Sequence, residues 1–186
     1  MKKIILTSAI IFATVAATFA EGPTLPNATD QTTLNVILNP IQTLVVNPAQ
    51  KTVDLEYKNI SDYAAGVSST QEDHLKIYST GGFIVTVQSA IDDMARAKGS
   101  ETISASTIKI KAENGSTNAL TGATVGTEVS LSTTPTSLIN SSTGGVDKNF
   151  NITYSGMGSD AYVNKYFKNE TPTVYTTTVT YAIVAQ

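Results

Sequence analysis

Apolar and polar residues alternate with a period of two along most of this chain, the pattern of half-buried β-strands. Leu34, Val36 and Leu38 alternate with Asn35 and Ile37 until Pro40, and a second run, 41–46, follows until Pro48. Proline has no N–H to donate and sits at strand ends or edges, so this region reads as two strands or as one strand bent at a proline. Val53, Leu55 and Tyr57 alternate with Asp54 and Glu56, predicting a half-exposed strand. The polar stretch 58–72 contains Asn59, Asp62 and Gly66 and predicts a loop. Leu75 and Ile77 open another strand. Thr80-Gly81-Gly82 is a turn signal, and Phe83, Val85 and Val87 complete an expected hairpin.

The alternation breaks once. Residues 90–98 (AIDDMARAK) have helical composition, with Ile91, Met94 and Ala95 as an apolar stripe and Gly99 as a stop. They predict a short helical crossover. Ile103, Ile108 and Ile110 resume the strand period, and Asn114-Gly115 marks a turn. Val129 and Leu131 give a short strand, 137–139 another, and Phe150, Ile152 and Tyr154 a further one. The loop containing Gly144-Gly145 lies before that last strand, and a Gly/Ser/Asp-rich loop, 155–168, follows it. The whole reads as about nine to eleven short strands spaced by polar turns, which indicates an all-β antiparallel sandwich or barrel and not a βαβ fold.

The last segment, VYTTTVTYAIVAQ, places Tyr175, Thr177, Val179, Tyr181 and Ile183 on one face and mostly threonines on the other. The more apolar face is expected to point into the core. The segment serves either as a strand within its own sheet or as one offered to another subunit. Its alternating Thr and Tyr resemble the closing strand of WxL-type cell-wall-binding domains and the last strand of spore-coat-U-like, fimbrial-type secreted sandwiches. The WxL tryptophans are absent and Tyr181 stands in the corresponding place; with no Cys, the disulfide of many pilus subunits is absent too. The resemblance implies a β-sandwich of Ig-like or WxL-like type and a secreted bacterial surface protein. In the fimbrial case the run 34–38 would serve as a donor strand.

Residues 1–20 (MKKIILTSAIIFATVAATFA) pair two lysines with an apolar run and a small-residue end, the layout of a secretory signal peptide cleaved before Glu21. The apolar run is short of the ~20 residues that span a bilayer. The expected organisation is therefore signal peptide 1–20, flexible lead-in 21–31 and sandwich domain 32–186, exported to the periplasm, the cell surface or the exterior. Without Lys2 and Lys3 the chain carries 10 basic against 15 acidic residues, and no basic face for nucleic acid is evident.

Candidate chemistry is sparse. With one histidine and no cysteine, the usual zinc sites are ruled out. His74 beside Asp73 has the form of a base and its orienter, though a structural contact is the plainer reading. Asp92-Asp93 read as solvated charges near the start of the expected helix. Neither the glycine pairs nor any acidic run fits a phosphate or calcium motif. The aromatics Tyr162, Tyr166 and Phe167 gather in one loop, where they would either cap the core or offer a ligand or partner patch. The sequence therefore points to a non-enzymatic surface, adhesion or structural protein without a cofactor. Its expected partners are a cell-wall polymer, a glycan or another surface protein; the alternative is a fimbrial-type subunit that homo-oligomerises by strand exchange.

Overall fold

A computed structural model describes residues 28–186. The signal peptide expected at 1–20, and the lead-in up to residue 27, lie outside the described residues. Residues 28–37 form one unit by themselves, without helix or strand and exposed throughout. The run 34–38 joins no ladder, against expectation: Leu34 is 86% exposed, Val36 78%, Ile37 81% and Leu38 86%. Alternation supplies a face, but a strand also needs a neighbour for its backbone N–H and C=O groups.

The second unit, 38–186, is the all-β body. Its ten strands are β1 (Gln42–Val46), β2 (Val67–Ser79), β3 (Phe83–Ser89), β4 (Asp93–Ala95), β5 (Thr102–Ser104), β6 (Ile108–Asn114), β7 (Glu128–Ser130), β8 (Thr136–Ser141), β9 (Gly145–Gly156) and β10 (Val179–Ala185). They form a five-stranded sheet in the order β1-β2-β9-β6-β7, a three-stranded sheet β10-β3-β8 and a small β4-β5 ladder, with every pairing antiparallel. The two larger sheets bury one common core. Leu75, Ile77, Ile110, Phe150 and Ile152 come from one, and Phe83, Val85, Val87 and Ile139 from the other. Each such side chain contributes about 1.5–3 kcal/mol on burial.

Three local expectations are corrected. The two strands flanking Thr80-Gly81-Gly82 are not a hairpin: β2 belongs to one sheet and β3 to the other. Both edges of β2 near the turn are already taken, by β1 and by β9, so the chain crosses to the second layer. The segment 90–98 is not helical. Asp93–Ala95 pairs with Thr102–Ser104, which buries Met94 opposite Ile103. Among the described residues the one α-helix, α1 (Ile60–Ala65), lies in the expected loop 58–72, whose later residues open β2. Asp62 starts the helix by accepting from the backbone N–H groups of Lys58 (2.7 Å) and Asn59 (2.9 Å). Those two bonds, with the backbone of Asn59 first, hold its carboxyl below the usual range.

Val53, Leu55 and Tyr57 alternate in burial as expected and pack on the core, but their segment joins no sheet. Long β2 contains a bulge, where Gln71 to Leu75 stands opposite only Ile152 to Phe150. Asp73 adopts φ 48° inside it and its N–H donates to Asn151 Oδ1 at 2.7 Å. The bulge turns His74 into the interior.

Candidate functional site

His74 is 2% exposed and fully hydrogen-bonded. Gln50 Nε2 donates to the Glu72 carbonyl, which fixes Gln50 Oε1 as the acceptor from His74 Nδ1–H at 2.9 Å. His74 Nε2 then accepts from the Tyr154 hydroxyl (2.9 Å), whose oxygen accepts from the Tyr181 hydroxyl (2.7 Å). The chain of donors uses every ring nitrogen in a neutral imidazole. Burial, reinforced by the charge of Lys51, pushes His74 down to about 4. Burial likewise raises both tyrosines, with Tyr154 adding to the effect on Tyr181. Asp73 does not orient the ring, since its carboxylate accepts from Thr117 N–H (3.1 Å) and Oγ1–H (2.6 Å). The arrangement ties β2, β9 and β10 together across the core. Asp92 accepts from Thr133, and among the described residues no group of three His, Cys, Asp or Glu side chains is placed to hold a metal ion.

The three loop aromatics part company. Tyr162 is buried, its ring edge-on to Tyr57 (5.1 Å between centroids) and its hydroxyl 2.7 Å from Thr107 Oγ1. Tyr57 also packs on Tyr63 and donates to the Met157 carbonyl, and its burial, then Tyr162, raises its own pKa. Phe167 lies under Arg96, whose guanidinium carbon is 4.1 Å from the ring centre. That cation–π contact faces a guanidinium whose Nε and Nη1 have no hydrogen-bond partner. Only Tyr166 is displayed, at 60% exposure, with its hydroxyl 3.1 Å from Thr171 Oγ1.

Tyr166 contributes to a shallow cleft of about 270 Å³ between α1 and the turn 160–166. Its apolar wall is Ile60, Tyr63, Val163 and Tyr166, and Asp160 and Asn164 stand at the rim. Both rim residues hold the left-handed conformation, at φ 57° and 70°, which Asp and Asn tolerate better than other side chains. The turn is pinned to the helix by Ser159 N–H to the Ala64 carbonyl (2.7 Å) and Asp160 N–H to the Tyr63 carbonyl (2.9 Å). An aromatic wall with a carboxylate and an amide beside it can stack on one face of a sugar ring and bond its hydroxyls. Sequence alternation does not single out Ile60 and Tyr63, because the polar stretch 58–72 reads as a loop, nor Asp160 and Asn164, which only the folding of the loop 155–168 against α1 brings to the cleft. The Asn-x-x-Asp spacing at 59–62 was the available signal. A second shallow cleft, near Gly156, carries only the exposed Lys109–Glu128 pair (3.1 Å).

Neither the known protein-family models nor the curated proteins contain a match to this chain.

Proposed function

We propose that this chain is an exported, non-enzymatic β-sandwich of a bacterial surface, a structural or adhesion module that contacts a wall polymer or other glycan through the cleft beside Tyr166. The observation that carries this reading is the cleft whose aromatic wall is half-buried Tyr63 and exposed Tyr166, lined also by Asp160 and Asn164. The leader-like 1–20 and the mildly acidic, charge-poor composition support export. The sealing of His74 supports a non-catalytic role. Among the described residues, no helix is long and apolar enough to cross a membrane.

Co-sedimentation with insoluble peptidoglycan tests this reading. The protein is expected in the pellet, and Tyr166→Ala, which removes an exposed ring, should release it about tenfold more readily, as expected for the loss of ~1.4 kcal/mol of binding. Equal pelleting of both proteins, or of neither, would count against the cleft.

A second reading, a subunit that assembles by strand exchange, is favoured by one observation, the exposure of the apolar run 34–38. Size-exclusion chromatography tests it, with a ladder of assemblies expected in place of a single monomer peak.

A further inference from the structure

Tyrosines and one carboxylate meet in the cleft beside α1, and no Lys, Arg or His is among the residues that line it. Tyr166 is exposed, Tyr63 half-buried and Tyr162 buried. Ile60 and Val163 leave apolar surface in water at the same place. Apolar surface gathered in this way marks a contact site.

The fold leaves the polar groups of the cleft unused. Among the described residues, the Asp160 carboxylate, the Asn164 amide and the Tyr63 hydroxyl have no hydrogen-bond or ion-pair partner in the protein. The neighbouring charges are committed elsewhere. Lys165 is held by Glu101 (2.6 Å) and Lys58 by Glu56 (2.8 Å), while the Asp62 carboxylate accepts from the first N–H groups of α1. Asp160 is therefore the one free charge in the lining.

That charge is also held in place. Val163 N–H donates to the Asp160 carbonyl (3.0 Å) and Lys165 N–H to the Tyr162 carbonyl (3.1 Å). Gly158, at the start of the turn, lies against the backbone of Ala65 and Gly66 with no room for a Cβ. A site ordered before its ligand arrives loses less entropy on binding.

A ligand that covers the cleft strips water from Asp160. Hydroxyl groups offset part of that loss; an ammonium offsets it with charge as well as with N–H donors. Tyrosine rings attract the same cation through their negative faces. An anionic group would meet repulsion instead. From this combination we infer that the cleft takes an amino sugar in its unacetylated, cationic form, with the ammonium on Asp160 and the sugar ring against Tyr63 and Tyr166. This rests on the glycan reading above and narrows it to one class of sugar.

Oligosaccharides of glucosamine and of N-acetylglucosamine, matched in length and linkage, differ only at the amine, which is charged in one and acylated in the other. Calorimetric titration of the full chain with each, below neutral pH, isolates the contribution of that group. The glucosamine oligomer is expected to bind about fivefold more tightly. Asp160→Asn should abolish the difference, and about 0.5 M salt should shrink it. Asparagine suits the left-handed φ of 57° at this position as aspartate does, so the turn is retained. Asn164→Asp, at φ 70°, adds a second carboxylate and should widen the preference. Tyr166→Ala should weaken both oligomers alike. Equal affinity for the two oligomers, both weakened by Tyr166→Ala, would overturn the amine assignment and leave the glycan reading standing. A preference that survives Asp160→Asn would trace to the negative charge of the chain at large and overturn the role of Asp160. Binding of neither oligomer would overturn both the inference and the reading beneath it.

Discussion

At the residue scale His74 is the side chain whose environment makes the sharpest prediction. The folded protein holds the imidazole neutral, with burial lowering its pKa to about 4 from an ordinary 6.5. The unfolded chain therefore binds a proton between these values that the folded chain refuses. Its contribution to stability is complete above about pH 6.5 and is lost as the pH falls toward 4. Linkage puts the loss at roughly 2 kcal/mol between pH 7.5 and 5. Urea unfolding at the two pH values should reveal it. His74→Gln, which cannot titrate, should be less stable at pH 7.5 but show little change over that interval. The carboxyls of Asp62, Asp73 and Glu101, all held low by hydrogen bonds, lose their contribution as the pH falls through the ordinary carboxylate value and below it, beneath most of this window. Nothing in the sequence announced this network, since Gln50, His74, Tyr154 and Tyr181 come from four distant segments.

At the element scale the turns decide which layer each strand joins. Gly144 precedes β9 and sits against the Ser79 carbonyl and the backbone of Thr80 and Gly81, where the chain leaves β2 for the other sheet. A Cβ at Gly144 would collide with that backbone, so Gly144→Ala should cost roughly 1–3 kcal/mol. Gly81 has no atom within reach of an added Cβ and an ordinary φ. Gly81→Ala should stay within about 0.5 kcal/mol of the parent in the same denaturation assay. The sequence reading found both glycine pairs but not their contact, because closeness between residues 79–81 and 144 is a property of the packed layers.

The same distinction accounts for the other successes and misses. Alternation identified the strands around Leu75, Val85, Ile110, Ile152 and Tyr181, where each inward residue meets a facing sheet. It failed at 34–38, which has the period but no neighbour, and at 90–98, where helical composition yielded to the pairing of Met94 with Ile103. At 68–72 the residues are polar, and only the register with β9, Ser68 opposite Ser155 through Gln71 opposite Ile152, makes them a strand. Of the candidate patch, Tyr166 is exposed as a contact residue would be. Tyr162 and Phe167 are packed against Tyr57 and Arg96, which no local sequence signal encodes.

At the scale of the whole molecule, two features are available to other molecules, the exposed apolar run 34–38 and the aromatic cleft beside Tyr166. One feature suits assembly, the other adhesion, and the two do not share residues. Surface retention and oligomerisation are therefore expected to separate genetically, with Val36→Asp lowering assembly and Tyr166→Ala lowering glycan contact. The most direct measurement of the proposed function is residue-resolved: amide chemical shifts of the isotope-labelled protein followed during titration with soluble glycan fragments of the cell wall. The predicted result is a saturable set of shifts confined to α1 and the turn 160–166, centred on Tyr63, Asp160, Asn164 and Tyr166. A spectrum that does not move, or one whose shifts gather away from that cleft, would contradict the proposal.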